Sequence, residues 1–569
     1  MPNATATLSR ILLATAIAFP PACSGNESEN AAAKASKAAA QPPKAPESGL
    51  AKLVPAGTAI YVEAPSVDRL AASIRKVTAA FDPDRAAAMD LEESLKDLDL
   101  PGSVKEIDRT KPIGICMVLP AEPGGQPAPT FLVPAVSPEN YARSVAESGP
   151  GLATAIHGNY VAVSMGAEAK PGPAPAAIAQ GLPEGEIVAR LDVQRLVEHF
   201  RPMIDMGLGQ MSAAMESVPP ETTGGMDVKP LMKAYADGIR SVLDSGQTLD
   251  FALRLDGNVL EISSALTARE GSALDGFGSK EKTDAKALAR FLDAEAPVAM
   301  VLGMDQAKLI HRLQPLIDAS VAMYPEPMRS SFQQIMGKAD ELSALIGSAM
   351  CVNGALEGDG LRYAVYLKSP DAAKLVETYL AMMSGVPGIT FDEMKAGEVG
   401  GIQVQRSRLR VDAEKLTGGK LEAAGEATNV QMKTMLDRIY GPEGLAFTIG
   451  TQGEVTALVL GGDDAFLASS LARISKPGAL PPRIARGLEQ VGDLNPCFAM
   501  QYNLGAAMKG IRDLLGSTAG MPAMPDLQAT LTLHGGVDGR VWRGALSADV
   551  AELGAAVRKM SEPGPGGPR

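Results

Sequence analysis

The four histidines of this chain are His157, His199, His311 and His534. Imidazole is the side chain best suited to acid–base work and metal ligation near neutral pH, so the spacing of these four is the first test for chemistry. None stands in H-x-x-x-H or H-E-x-x-H, the helical spacing that puts two imidazoles on one zinc ion. Ser73-Ile74-Arg75-Lys76 has the S-x-x-K form, in which a lysine lies one turn from a nucleophilic serine. That chemistry also needs a K-T-G strand, and Lys415-Leu416-Thr417-Gly418 interrupts it with leucine. No G-x-S-x-G elbow, Walker loop or EF-hand loop occurs, and Gly207-Leu208-Gly209 lacks the third glycine of a dinucleotide fingerprint. The carboxylate pairs Glu92-Glu93 and Asp463-Asp464 sit at helix starts, where the helix dipole accounts for them. The residues therefore predict no catalytic group, no metal site and no cofactor, and a chain that is not an enzyme.

Sulfur chemistry is the other candidate. Of 26 methionines, Met203, Met206, Met211 and Met215 share one helical stretch, and Met521 and Met524 a proline-rich one. Thioethers bind Cu(I), but they also fill irregular cores and make adaptable apolar surfaces. Core packing is the leading reading, with a groove for lipid or peptide next and copper last. Cys116, Cys351 and Cys497 lie in apolar strand-like runs. Three is an odd number, so a disulfide framework is not expected and buried free thiols are.

Composition narrows the partners. A chain of 569 residues holds several domains. At 46% hydrophobic and 21% charged it has ordinary packed cores. The net charge of −13, without basic patches, argues against nucleic acid. Aromatics at 4%, with Trp542 the single tryptophan, argue against base- or sugar-stacking platforms.

The first residues carry an address. Arg10 precedes the apolar run Ile11–Phe19, too short for the about 20 residues that span a bilayer. That is the layout of a signal peptide, read as residues 1–22. Two cleavage readings stand. Ala16-Ile17-Ala18 suits ordinary signal peptidase, and release would leave a secreted protein. Alternatively, Ala22-Cys23-Ser24-Gly25 resembles a bacterial lipobox, with Pro20 where leucine is usual. Residues 23–50 are polar and rich in Ala, Pro, Lys and Glu, as a flexible tether is. A tether that starts at a cysteine favours lipidation at Cys23 and anchoring in the bacterial envelope, facing the periplasm or the cell surface.

The elements beyond residue 50 repeat. DVQRLVEHFRPMID at 192–205 matches DQAKLIHRLQPLID at 305–318, pairing Asp192 with Asp305, Leu196 with Leu309 and Pro202 with Pro315. Each copy follows a short strand and precedes two strands around an acidic-Gly turn, a hairpin signal. Proline inside each helical run predicts a bend or stop, with Leu196, Leu309, Ile204 and Ile317 buried. The same order of strand, helix, hairpin and helix recurs along the chain. It predicts tandem βαββα units over 51–182, 183–293, 294–398, 399–490 and 491–569. Ser137-Pro138-Glu139 and Ser369-Pro370-Asp371 mark helix starts by N-cap, proline at N1 and an acid in the first turn. Hairpin-joined strands are antiparallel, so the class is α+β, ferredoxin-like-related, with helices covering antiparallel sheets. TAIHGNYVAVSM completes the first unit, and later units are expected to borrow the opening strand of the next in a continuous array.

Leu53 to Leu70, LVPAGTAIYVEAPSVDRL, follows the export signal and tether with a Val-Pro-Ala turn, an apolar strand and a helix bearing Asp68 in its first turn. This stretch resembles the opening of an uncharacterised family of exported bacterial proteins defined only as a domain of unknown function. The resemblance implies an envelope location and brings no site residues. The function expected from the whole is a non-enzymatic binding or structural role in the envelope. The chain would hold the membrane through its lipid and meet a protein or peptide partner. A carrier or sensor of an apolar ligand is the alternative, and a hydrolase with a dispersed site the second.

Overall fold

The computed structural model describes residues 49–90, 101–120, 122–123, 125–149, 151–165, 178, 181–216, 229–275, 283–303, 306–322, 328–357, 360–386, 388–412, 437–441, 443–492, 497–515 and 527–561. Cys23 lies outside these residues, with the rest of 1–48, where the signal peptide and nearly all of the tether were expected. The described elements begin with β1 (Thr58–Ala64), α1 (Val67–Phe81), α2 (Pro83–Ala88), β2 (Ile113–Val118), β3 (Ala128–Pro134), α3 (Pro138–Ser148), β4 (Leu152–His157) and β5 (Tyr160–Met165). They continue with β6 (Ile187–Asp192), α4 (Val193–Glu216), α5 (Lys229–Ser245), β7 (Gly246–Asp256) and β8 (Val259–Ala268). Next come α6 (Ala285–Leu288), β9 (Val298–Gly303), α7 (Gln306–Ala322), α8 (Met328–Leu345), β10 (Ala349–Glu357), β11 (Gly360–Lys368) and α9 (Ala372–Ser384). Then follow β12 (Ile389–Phe391), β13 (Lys395–Val399), β14 (Ile402–Val411), β15 (Leu445–Gln452), β16 (Val455–Leu460), α10 (Asp464–Ser475) and α11 (Pro482–Val491). The last are β17 (Cys497–Asn503), α12 (Leu504–Leu515), β18 (Thr530–Asp538), β19 (Val541–Asp549) and α13 (Val550–Ser561).

The class is α+β, with helices packed on antiparallel sheets. Helix starts after the opening strands share a device. The side-chain oxygens of Ser66, Asp192 and Asn503 accept the backbone N–H groups of Arg69, Arg195 and Ala506. Each satisfies one of the amides that a first turn leaves without a partner.

Two compact units divide the chain. The first comprises 1–213, 236–275 and 540–554. Its strands pair antiparallel in the order β4-β5-β3-β2-β1-β6-β7-β8-β19. The second comprises 214–235, 276–539 and 555–569, in the order β18-β17-β9-β10-β11-β16-β15-β14. There β12 and β13 both pair along β14, so β14 is the second arm of a hairpin and not the first strand of a fresh unit.

The pairing refines the expected repeat. The strand after the helices lies directly beside the opening strand: β2 on β1, β7 on β6, β10 on β9. A ferredoxin-like unit would interleave a third strand there. The reason is the helical excursion. Between β6 and β7, and between β9 and β10, the chain makes two helices, α4–α5 and α7–α8. An outward and a return pass bring it back to the end of the strand it left, which permits an antiparallel neighbour. Arg201–Asp244 at 2.6 Å and Arg240–Asp205 at 2.9 Å tie α4 to α5 in that antiparallel sense. Opening strands then pair with one another, β1 with β6 and β9 with β17, so the opening strand of the expected third unit meets that of the fifth and not that of the next.

The prolines do not stop their helices. α4 runs through Pro202 and α7 through Pro315. Leu196, Ile204 and Ile317 are half-buried rather than buried, and the side chain of Leu309 is outside the described residues.

The second unit is closed on both sheet faces. Leu288, Phe291 and Leu292 of the short helical segment around α6 pack with Leu471 of α10 and Ile484 and Leu488 of α11 on one face. Cys351 Sγ and Asn353 Nδ2 donate to the carbonyls of Leu288 and Phe291 at 3.2 and 2.9 Å, pinning that segment to β10. Leu345 of α8 and Leu375 and Val376 of α9 pack with Phe447 and Leu458 on the other.

Candidate functional site

The first unit is not closed in the same way, and the difference lies on the two faces of one sheet. Alternation along β1 and β6 sends Tyr61 and Arg190 to one side and Ile60, Val62 and Leu191 to the other. The first side is sealed. Tyr61 and Cys116 are buried against Leu50, Val54 and Ile178. The phenol of Tyr61 donates to Glu63 Oε2 at 2.6 Å, so that buried carboxylate is partnered. Arg190 pairs with Asp250 across β6 and β7 and also donates to the Gly181 carbonyl at 3.2 Å.

The second side carries a charge-free apolar grid. One row runs Met117, Ile60, Leu191, Leu249, Leu266 and Trp542, each opposite the next across a strand pair. The adjacent row runs Ile115, Val62, Ala189, Phe251, Ser264 and Gly544. Six strands give a width of about 24 Å. All twelve residues are half-buried, and none belongs to a buried core cluster. At one margin the same face is tightly packed: Tyr141 and Val145 of α3 are fully buried against Val133, Val161 and Val163. Close packing is thus available to this sheet and stops at β2.

Helix α1 borders the grid. Ser66 caps it and donates through Oγ to the Arg109 carbonyl at 3.0 Å. Arg69 meets the buried Glu186 at 2.7 Å, and Lys76 Nζ donates to the carbonyl of Gly257, in the β7–β8 turn, at 2.6 Å. Its apolar stripe is Val67, Leu70, Ile74, Val77 and Phe81, at helical spacing. Only Val67 is buried, inside the α3 cluster, while Ile74 is 42% exposed. An amphipathic helix packed on a sheet buries its stripe. This one makes polar contacts through Ser66, Arg69 and Lys76, packs at its C-terminal end against Gly554 of α13, and leaves Leu70, Val77 and Phe81 half-buried.

The residues singled out for chemistry do not converge. Lys76 of the S-x-x-K stretch is spent on Gly257. His199, on α4, is buried with Nε2 3.1 Å from the Gly125 carbonyl. His157 is half-buried on β4, and His534 is buried on β18 against Gly487 of α11. The His311 side chain is outside the described residues. Among the described residues no group of three or more His, Cys, Asp or Glu is placed to hold a metal ion. The three thiols Cys116, Cys351 and Cys497 are free and buried. Burial pushes Cys116 up to about 12, the Thr58 hydroxyl offsetting little of it. Met203 and Met206 do not pack in a core: they are 53% and 57% exposed. Arg201 and Asp205 are the residues of that stretch that face α5, which leaves the thioethers in water. The signal for the grid was present in the strand alternation, but whether a face is covered is not a property of alternation.

No helix among the described residues is long and apolar enough to cross a membrane. No protein-family model and no curated protein matches the chain. Solved structures of crystal forms III and IV of TP0453 match 49% and 47% of this chain and 98% and 95% of theirs, at 8% and 10% identity. Their TM-scores, 0.23 for both, are too low to carry an argument about this chain.

Proposed function

We propose that this chain is a non-enzymatic envelope protein, anchored by a lipid on Cys23, that carries or senses an apolar ligand on the half-buried sheet face of its first unit. The observation that supports this reading is the charge-free grid from Met117 to Trp542, half-buried where neighbouring parts of the same sheet are sealed. A contiguous apolar face that no described core cluster seals is a candidate ligand surface. The dimensions suit a single acyl chain. Such a chain spans half of the about 30 Å hydrocarbon core of a bilayer, and the grid is about 24 Å wide. The export signal and tether would keep the face within reach of a membrane that supplies such chains.

Trp542 makes the test direct, because it is the single tryptophan and ends one row of the grid. Stearic acid brominated along its chain quenches tryptophan on contact. Titration of the full chain should give saturable quenching, and Phe251→Glu, in the middle of the adjacent row, should weaken it at least tenfold. Quenching that is absent, or unchanged by Phe251→Glu, would leave the interaction with a protein or peptide partner as the better reading.

A further inference from the structure

The outer edge of the first unit is β4, which among the described residues pairs with β5 alone. Its sequence, Leu152-Ala153-Thr154-Ala155-Ile156-His157, has no carboxylate, lysine, arginine or proline. Edge strands of soluble proteins are normally blunted by charge, proline or a bulge, because an open row of backbone donors and acceptors templates further pairing. The strand on the far side of β14 in the second unit follows that rule, with Lys395 and Glu398 exposed in β13. β4 does not.

The backbone geometry says which groups are open. The two-residue turn Gly158-Asn159 joins His157 to Tyr160, and Gly158 has φ +61°. Such a tight turn closes on a hydrogen-bonded pair. Alternation then turns the N–H and C=O groups of His157, Ala155 and Ala153 toward β5, and those of Ile156, Thr154 and Leu152 outward. The side chains of these three outward-bonding residues share one face of the sheet, the face on which Leu152 packs with the α3 cluster.

We propose that β4 pairs antiparallel with β4 of a second copy of this chain, about a two-fold axis through Thr154. A two-fold axis normal to the sheet keeps each face on its own side, so opposed residues must have the same parity in sequence. With Thr154 opposite its own copy, Leu152 faces Ile156 of the other chain and Ile156 faces Leu152. All three outward-bonding residues then meet in hydrogen-bonded pairs, two bonds each, about six in all. The cross-strand pairs are Thr–Thr and Leu–Ile, both favourable, and Ala153 opposes Ala155 on the other face. A register shifted by two residues loses one of these pairs and sets Ile156 against Thr154. The strand is thus self-complementary in one register. The dimer also covers Ile156, which is 44% exposed in the single chain. An uncharged edge offers nothing to select a charged partner peptide, and two copies approach it without repulsion.

The experiment uses the full chain with Cys23→Ala, whose remaining cysteines are buried. Light scattering after size exclusion should give twice the chain mass. Under mild oxidation Thr154→Cys should form a disulfide-linked dimer, since opposed Cα atoms lie about 5.5 Å apart, within disulfide reach. Ala153→Cys should not, because its copy lies two residues along the strand, beyond about 7 Å. Ile156→Lys should halve the mass without changing the circular dichroism spectrum. A monomeric parent, equal cross-linking from both cysteine variants, or a dimer that survives Ile156→Lys would overturn the proposal. None of these outcomes depends on ligand binding at the grid.

Discussion

Arg190 and Asp250 face one another across β6 and β7 and join through two parallel bonds, Nε–Oδ1 at 2.5 Å and Nη2–Oδ2 at 2.6 Å. The pair is largely buried, with 10% and 15% of the side chains exposed. It lies on the sealed face, directly behind the apolar grid, and its third bond holds Gly181 against the sheet. Removing one partner of a buried pair strands the other charge. Asp250→Ala should therefore cost about 3–5 kcal/mol in urea unfolding. Arg190→Met combined with Asp250→Leu should recover most of that loss. If Asp250→Ala is silent, the pair is solvated and the face is not sealed.

The two faces predict different costs for the same deletion. Leu132 on the sealed face is fully buried, while Leu191 and Leu249 on the grid are half-buried. Leu132→Ala should cost about 2–5 kcal/mol, transfer plus cavity. Leu191→Ala and Leu249→Ala should cost clearly less, because water already reaches those positions and no closed cavity forms. Equal costs in denaturant unfolding would mean that something covers the grid.

The thiols should be silent in the folded chain. Burial raises Cys116, Cys351 and Cys497 alike, and the thiolate is the reactive form. A thiol reagent such as Ellman's should label none of the three at pH 8, and all of them in denaturant. The sign of the pH effect follows. Cys116 ionises from 9.0 when unfolded but only near about 12 when folded. Its contribution to stability is intact below pH 9 and falls as pH rises toward 12. Cys116→Ser should flatten the alkaline limb of a melting-temperature profile between those values.

The anchor is tested by fractionation. Cells expressing the chain should hold it in the membrane fraction, with an acylated N-terminal Cys23 in mass spectrometry, and Cys23→Ala should move it to the soluble fraction. A mature N-terminus at Phe19 would show cleavage after Ala18 and a secreted protein instead.

Local rules made much of the fold legible. Period-two alternation marked the strands and acidic-Gly turns marked β7–β8 and β10–β11, because each depends on residues within a few positions. Of the two serine–proline helix starts, α3 does begin at Pro138, though Ser137 makes no capping side-chain bond, while α9 begins at Ala372 with Asp371, not Ser369, as its N-cap, the Asp371 carboxylate accepting the Lys374 N–H. The match of 192–205 with 305–318 likewise set parallel segments side by side in sequence, and both proved to be helices after a strand. Alternation also sorted Ile60 from Tyr61 and Leu191 from Arg190. What it does not contain is which of two apolar faces is covered. That depended on tertiary packing: Leu50, Val54 and Ile178 close one side of the first sheet, and the other stays half-buried beside α1, which contacts Glu186 and Gly257. Strand order was undetermined for the same reason. β1 beside β6, and β19 beside β8, join residues more than a hundred positions apart, and no local propensity encodes which edge a strand will meet. The Arg190–Asp250 pair, the exposure of Met203 and Met206, and the open edge of β4 are likewise results of assembly, set by what packs against each residue rather than by its type.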